Sequence, residues 1–203
     1  IETFLADARQ QIKASGVGWP RPELWGIPDG QQSVITGQQL RLSLRTLPEL
    51  GRSIEARTVK LPPIDHPERK GPNIARYAKL NQGLGAEALL TDDLGQVIEG
   101  ASTSLVWWRD GTLCTSEDGG RVASVTEYAL RGFATSRGIR TQRGNEHPSE
   151  LAGYEGWAVN ALHGIRILTS IDGIRLPAPD KSRLREFETA LDATWQPVIQ
   201  EMS

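Results

Sequence analysis

The sequence predicts an α+β fold with a small N-terminal α/β lobe, a proline-rich linker and a larger C-terminal α+β lobe. Short segments with strand patterns occur as hairpin-like pairs, and helical segments do not alternate regularly with single strands. Three prolines within residues 62–67 fix an extended path and exclude a helix. We therefore expect lobes at residues 1–60 and 69–203, joined by a linker at residues 61–68.

The predicted N-terminal lobe opens with a helix. Apolar residues at helical spacing in residues 1–14 predict an amphipathic helix, which Gly16 and Gly18 end. Residues 19–32 are rich in Pro, Gly and Trp and predict an irregular connection. Residues 39–45 alternate strictly between polar and apolar, which predicts a strand, and residues 57–61 predict a shorter one. Because the chain begins with Ile1 rather than Met, we expect further residues to precede this lobe.

The predicted C-terminal lobe contains helices and paired strands. A helix over residues 73–84 precedes a hairpin of residues 86–90 and 96–99, and a second pair follows at residues 105–108 and 112–115. Ser124 and Glu127 have the spacing of a capping box and predict a helix that ends near Gly138. Its predicted apolar stripe is Val125, Tyr128, Ala129 and Phe133. Strands at residues 139–142, 157–159 and 165–168 and a helix over residues 182–199 complete the lobe.

Composition excludes several classes of function. The chain has 203 residues, 38% hydrophobic and 24% charged, with a formal charge of −2. With no basic stripe and no apolar run of membrane-spanning length, we expect neither a nucleic-acid partner nor a membrane. The single cysteine, Cys114, excludes an internal disulfide and fits a cytoplasmic location. One cysteine and three scattered histidines argue against a metal site.

Two residues could carry chemistry. Lys70 offers an amine where the linker meets a helix, and Glu99 offers a carboxylate at a strand end, before the small residues 100–102. An amine that forms a Schiff base and a carboxylate that protonates a pyridine ring are the groups that a pyridoxal phosphate enzyme needs. The alternatives are an ordinary surface lysine and a solvated strand-end carboxylate.

Other segments could bind anions or substrate. Ser124, Val125 and Thr126 open a helix whose free N–H groups can bind an anion, although a capped helix that binds nothing has the same pattern. His163 lies in a loop where it could contact substrate or simply be hydrogen-bonded within the protein. Arg41 shares a strand face with Arg45 and could bind a substrate carboxylate, or that face could be solvated.

Four segments in this order resemble the class IV family of pyridoxal phosphate enzymes. This family holds the branched-chain and D-amino acid aminotransferases and the aminodeoxychorismate lyases. The segments are residues 70–73, residues 85–90, residues 95–100 followed by 104–107, and residues 124–126 with 160–165. The likeness begins around Arg41 and extends to the C-terminus. It implies the fold-type-IV architecture, with a barrel-like C-terminal lobe and the cofactor between the lobes.

The resemblance also implies roles for individual residues. Lys70 would form the internal aldimine with pyridoxal 5'-phosphate and move a proton at the substrate α-carbon, and Glu99 would face the pyridine nitrogen. A lysine buried without a nearby carboxylate would have the lowered pKa that such a base needs. The residues that would bind the cofactor phosphate and its surroundings are Ser124, Val125, Thr126, Asn160 and Ala161.

We expect an aminotransferase that acts on an amino acid and forms a homodimer, as the resemblance implies. The first alternative is a 4-amino-4-deoxychorismate lyase, because Asn-Ala-Leu at residues 160–162 looks more like the lyases than like the branched-chain aminotransferases. The second is a family member that has lost catalysis and binds a ligand or partner. The sequence departs from the family pattern at three places: Ser124 stands where Gly is common, Glu127 where Arg is common, and Thr103-Ser104 where Ser-Asn is common.

Overall fold

The computed structural model describes residues 1–16, 18–28, 35–61, 64–71 and 73–195, which form two compact units. The first lies within Ile1–Glu49 and contains helix α1 (Glu2–Ser15) and strands β1 (Trp19–Pro28) and β2 (Ile35–Arg45). The predicted helix and the predicted strand at residues 39–45 are thereby confirmed. The second unit spans Leu50–Trp195 and contains the remaining elements.

Strand β1 corrects the prediction of an irregular connection at residues 19–32. Residues 19–28 pair with β2 in an antiparallel ribbon, with Pro20 opposite Leu44 and Pro22 opposite Leu42. A ribbon of two strands leaves one side of each strand without a partner. Because prolines two residues apart face the same side of a strand, both missing N–H groups can point away from β2. The remaining residues of this prediction, 29–32, lie outside the described residues.

The second unit is built on a mixed sheet that three longer helices accompany. Its elements are β3 (Ser53–Lys60), α2 (Ile74–Leu84), β4 (Glu87–Thr91), β5 (Val97–Gly100), β6 (Ser104–Arg109), β7 (Thr112–Thr115), α3 (Val125–Ser136), β8 (Thr141–Arg143), α4 (Pro148–Leu151), β9 (Glu155–Asn160), β10 (Gly164–Ile171), β11 (Ile174–Arg175) and α5 (Lys181–Asp192). The strand order is β5-β4-β3-β10-β9-β6-β7-β8, and β11 pairs with β10. The predicted helix after Lys70 and both predicted hairpins are confirmed. The sequence analysis did not predict α4 or β11.

The sheet must curl because of one short connection. Strands β5 and β6 lie five positions apart in the strand order, which in a flat sheet would separate them by roughly 24 Å. Only three residues, 101–103, join them, and four residue steps reach about 14 Å at most. The sheet therefore bends until the end of β5 approaches the start of β6. This curvature confirms the predicted barrel-like α+β lobe.

The compact units divide earlier in the chain than the predicted lobes. Strand β3 lies inside the predicted N-terminal lobe, but it pairs in parallel with both β4 and β10. These two strand pairings join β3 to strands that follow the proline-rich segment. The boundary between the two compact units therefore falls after Glu49. Within that segment, Pro62 and Pro63 lie outside the described residues.

The largest side chains of the core pack between one face of the sheet and helices α3 and α5. The ring of Phe187 on α5 is fully buried and meets Trp108, Trp157 and Phe133 edge-on, with ring centroids 4.9–5.5 Å apart. The opposite face of the sheet holds a second cluster that includes Trp107. Helix α2 covers Ala88 and Leu90 of β4 and forms a third, smaller cluster.

Helix α3 begins where predicted but turns a different face inward. Val125 and Tyr128 are 79% and 81% exposed, whereas the buried residues are Thr126, Glu127, Leu130 and Ala134. The predicted stripe was therefore wrong at its first two positions. The reason is that Glu127 pairs with the buried Arg121, which rotates the polar first turn inward. Ser124 caps the helix by accepting a hydrogen bond from the Glu127 N–H, as predicted.

The closing helix is shorter than predicted. Helix α5 begins after Asp180, whose carboxylate accepts hydrogen bonds from the backbone N–H groups of Ser182 and Arg183. It ends at Asp192, and Trp195 beyond it is 66% exposed. The rest of the predicted helix, residues 196–199, lies outside the described residues.

We predict that Phe187→Ala lowers the free energy of unfolding by about 3–5 kcal/mol, because it leaves a cavity among three aromatic rings. Chemical denaturation followed by circular dichroism measures this change. The matched control is Tyr128→Ala, an 81% exposed aromatic residue on α3, which should change stability by less than about 1 kcal/mol. Equal losses in the two variants would contradict the assignment of Phe187 to the core.

Candidate active site

A cavity of about 550 Å³ lies in the second unit, bounded by α2, the end of β5, the N-terminus of α3 and the loop after β9. Its volume falls within the range of small-molecule and cofactor sites. Seven residues singled out in the sequence line it: Lys70, Glu99, Ser124, Val125, Thr126, Asn160 and Ala161. Four segments that are distant in the sequence are thus brought together around one space.

The turn after β5 is held in place by a buried carboxylate. Glu87, 3% exposed at the start of β4, accepts hydrogen bonds from the Ser102 N–H at 2.7 Å and the Thr103 hydroxyl at 3.0 Å. The Ser102 hydroxyl and the Asn81 side chain also donate to it, both at 2.8 Å. A β-carbon at Gly100 would collide with the Thr103 hydroxyl and lie 2.7 Å from the Glu87 carboxylate, so this close approach requires glycine. The floor of the cavity is therefore a tightly fixed turn of small residues.

Asn160 connects this turn to the loop after β9. Its side-chain N–H donates to the Ser102 carbonyl at 3.1 Å, and its side-chain oxygen accepts from the backbone N–H groups of Leu162 and His163. Both ends of the Asn160 amide thus serve to position backbone at the cavity wall.

Glu99 carries the most perturbed carboxyl group in the cavity wall. It is 6% exposed, and within the described residues no side chain forms an ion pair or hydrogen bond with it. Burial raises the pKa of Glu99 to about 7. The charge of Arg121 and the nearby backbone N–H of Val122 oppose this rise, and the charges of Glu127 and Glu87 add to it. The carboxyl group therefore changes its charge near neutral pH.

Tyr77 is a cavity residue that the sequence analysis missed. It is 8% exposed, and its hydroxyl is buried with no hydrogen-bond partner among the described residues. Burial, followed by the charge of Glu99, raises the pKa of the Tyr77 phenol. The cavity-lining residues of α2 are Ile74, Tyr77, Ala78 and Asn81. Their spacing of i, i+3, i+4 and i+7 is the signal that could have identified this helix face as functional.

The first turn of α3 presents unused donors to the cavity. In the part of the chain that the structure describes, the backbone N–H groups of Val125 and Thr126 and the Thr126 hydroxyl have no hydrogen-bond partner. The N-terminus of a helix carries partial positive charge. These donors and that charge suit an anionic group.

Lys70 is the lysine at the cavity. The chain has five lysines, at positions 13, 60, 70, 79 and 181, and Lys70 is the one among the lining residues. Its side chain is exposed, so the burial expected in the sequence analysis is not observed.

The two predicted substrate residues do not lie among the lining residues described. His163 accepts a hydrogen bond at Nδ1 from the Gly51 N–H at 3.2 Å, and burial followed by the charge of Arg166 lowers its pKa. Arg41 belongs to the first unit, where it donates to the Gln39 side chain at 2.9 Å and stacks over Trp25. Their contact with substrate stays a prediction.

Two further searches of the described residues gave negative results. They contain no group of three or more acidic, histidine or cysteine side chains placed to bind a metal ion. Likewise, no helix among them has the length and apolar character that crossing a bilayer requires.

Comparison with known proteins identifies a family. The family model described as amino-transferase class IV matches residues 2–171. No curated protein matches the chain.

Solved structures share the fold. A provisional 4-amino-4-deoxychorismate lyase from Legionella pneumophila superposes with a TM-score of 0.80 at 17% identity, covering 91% of this chain and 73% of that chain. A branched-chain amino acid aminotransferase from Thermobaculum terrenum, in its pyridoxal phosphate form, gives a TM-score of 0.78 at 17% identity, with coverages of 96% and 74%. A fold IV transaminase from Curtobacterium pusillum gives 0.76 at 18% identity, with coverages of 96% and 72%. At these identities the likeness establishes the fold.

We predict that Glu99→Gln stabilises the protein increasingly as pH rises. The folded-state pKa of about 7 lies above the ordinary 4.5, so the folded state holds its proton more tightly than the unfolded state. This stability is present below pH 4.5 and is lost as pH rises through 7, whereas the glutamine of the variant cannot titrate. The stability difference between variant and wild type should therefore grow by about 3 kcal/mol from about pH 4 to about pH 8. Denaturation of the ligand-free protein at several pH values measures it, and a difference that is flat with pH would contradict the burial argument.

Proposed function

The chain belongs to the class IV aminotransferase family, and on this basis we propose that it is a pyridoxal phosphate-dependent aminotransferase acting on an amino acid. The observation that carries the proposal is the buried carboxyl of Glu99, without an ion-pair partner among the described residues, in the same cavity wall as Lys70 and the N-terminus of α3. A carboxyl group buried in this way is costly unless a ligand uses it.

The residues of the cavity fit the cofactor at three points. The Glu99 carboxyl can form a hydrogen bond with a pyridine nitrogen and share its proton, and the Lys70 amine can bond to an aldehyde carbon. The free N–H groups of Val125 and Thr126 can bind a phosphate. When bound, pyridoxal phosphate supplies a pyridine ring that withdraws electrons from the substrate α-carbon.

Glu99 would influence how strongly the pyridine ring withdraws electrons from the substrate α-carbon. A pyridine nitrogen withdraws electrons more strongly when it is protonated, and a buried carboxyl titrating near 7 can hold a proton at that nitrogen at neutral pH. The small residues Gly100, Ala101 and Ser102 next to it allow a flat ring to approach the backbone.

Lys70 acts at the other end of the ring. Its amine would hold the cofactor by a covalent bond and, when free, would remove and return a proton at the substrate α-carbon. As the one lysine among the lining residues described, Lys70 has no competitor among the other four lysines for this role.

A specific observation favours a second function, 4-amino-4-deoxychorismate lyase. The residues Asn160, Ala161 and Leu162 resemble the lyases, and Asn160 fixes the backbone that faces the cavity. Both reactions begin with removal of the same α-proton, so Lys70 and Glu99 would serve either one. The difference lies in whether an amino group passes to an acceptor keto acid.

Two parallel assays distinguish these reactions. Amino transfer appears as amino-acid-dependent conversion of an added keto acid, whereas the lyase releases pyruvate and 4-aminobenzoate without an acceptor. Activity in the second assay alone would replace the aminotransferase proposal by the lyase. Cofactor binding without activity in either assay would favour a binding protein.

We also propose that the protein is a cytoplasmic homodimer. Measurement of its molecular mass in solution, with the cofactor present, tests the dimer.

We predict that Lys70→Ala abolishes covalent attachment of pyridoxal phosphate, because it removes the amine that lines the cavity. Borohydride reduction followed by peptide mass spectrometry measures the attachment and locates it. The matched control is Lys79→Ala on α2, an exposed lysine outside the cavity, which should label as the wild type does. Labelling of Lys70→Ala to the wild-type extent would contradict the proposed role of Lys70.

A further inference from the structure

Arg121 is a buried cation whose three side-chain nitrogen atoms all donate hydrogen bonds. Its side chain is 3% exposed and forms a two-pronged ion pair with Glu127, at 2.6 and 3.0 Å. It also donates to the carbonyls of Glu117 at 2.6 Å and Ser116 at 2.8 Å, and to the Asp118 carboxylate at 3.4 Å. A guanidinium with this set of bonds fixes the loop around it.

The partners of this ion pair bracket a segment of the cavity wall. Residues 122–126 lie between Arg121 and Glu127 in the sequence, and all five line the cavity. The pair therefore closes a short loop whose inner surface faces the cavity. Any movement of either partner would move the Val122 N–H and the first turn of α3.

Glu99 faces this loop from β5. The nearby Val122 N–H favours its ionised form, and Arg121 and Glu127 act on it with opposite charges. Glu87 on β4 also acts on Glu99, and Glu99 acts on Tyr77 of α2; the other charged residues that line the same cavity are Arg69 and Lys70. Because Glu99 is buried, these charges are weakly screened.

We propose that Arg121 and Glu127 are positioning residues for Glu99: their buried ion pair fixes the loop of residues 122–126, which lines the same cavity as Glu99, and their two opposite charges act together on its carboxyl group. The use of that carboxyl group at a ring nitrogen rests on the proposed function. The control of its charge does not, and it can be measured in the protein without any ligand. In this proposal the negative charge of Glu127 offsets the effect of the positive charge of Arg121 on Glu99.

The proposal requires opposite effects from the two partners. Glu127→Gln keeps the shape of the side chain but removes a negative charge, so the positive charge of Arg121 stabilises ionised Glu99. Arg121→Gln removes the positive charge and leaves Glu127 and Glu87 facing Glu99, so ionisation becomes harder. If the pair served only to hold the loop, breaking it from either side would disturb the Val122 N–H in the same way. The two variants would then shift Glu99 in the same direction.

Carbon-13 NMR of side-chain-labelled glutamate in the ligand-free full chain measures the titration. Glu99→Gln identifies the Glu99 signal by its loss. We expect the midpoint to fall by about one pH unit in Glu127→Gln and to rise by about one in Arg121→Gln. Circular dichroism and thermal unfolding show whether each variant is folded. If Arg121→Gln does not fold, Arg121→Lys replaces it: this variant keeps the charge, so the Glu99 midpoint should stay near the wild-type value. The direction of the shift in Glu127→Gln then tests the proposal.

A matched control comes from another arginine–glutamate pair, whose glutamate is buried and whose arginine is partly buried. Glu155, 7% exposed, pairs with Arg183 at the start of α5, away from the residues that act on Glu99. Glu155→Gln should leave the Glu99 midpoint unchanged. A rise or no change in Glu127→Gln, or an equal shift in Glu155→Gln, would overturn the proposal. Failure of the protein to bind pyridoxal phosphate would overturn the proposed function alone.

Discussion

The burial of three carboxylates around one cavity is the constraint on which the architecture of the second unit depends. Glu87, Glu99 and Glu127 are each no more than 6% exposed. Burying a carboxylate is unfavourable unless hydrogen bonds or a cation offset the loss of water. Glu87 is satisfied by hydrogen bonds from the turn after β5, and Glu127 by Arg121. Glu99 lacks such side-chain partners among the described residues, which makes it the group most available to a ligand.

The curled sheet brings these carboxylates together. The short connection from β5 to β6 forces the sheet to bend, and Glu87 then fixes that connection by its hydrogen bonds. Helix α2 follows β3 and returns the chain to β4, so that its inward face closes one side of the cavity. The loop held by Arg121 closes another. The hydrogen-bonded carboxylates of Glu87 and Glu127 thus fix the cavity wall around Glu99, which lacks side-chain partners among the described residues.

The sequence predicted local features better than those that depend on tertiary contacts. Lys70 was identified where the linker meets a predicted helix and Glu99 at the end of a predicted strand, and both line one cavity in the structure. The outward turn of Val125 could not be read from periodicity, since it depends on a buried ion pair across six residues. Strand β1 was missed because its prolines resemble a loop unless the two-stranded ribbon is known. Tyr77 was missed because its importance is the absence of a partner among the described residues, which only a structure reveals.

The unsatisfied groups of the cavity have a common consequence. Glu99 and the Tyr77 hydroxyl are buried, and the N–H groups at the start of α3 are fixed by the capped helix, so none of these groups has a side-chain partner within the described part of the protein. A ligand that supplies those partners would recover the lost hydrogen bonds without a cost in reorganisation. Such a ligand binds the folded state alone and therefore adds its binding free energy to stability. This arrangement also makes the cavity selective, because a ligand must match the carboxyl, the phenol and the helix N-terminus at once.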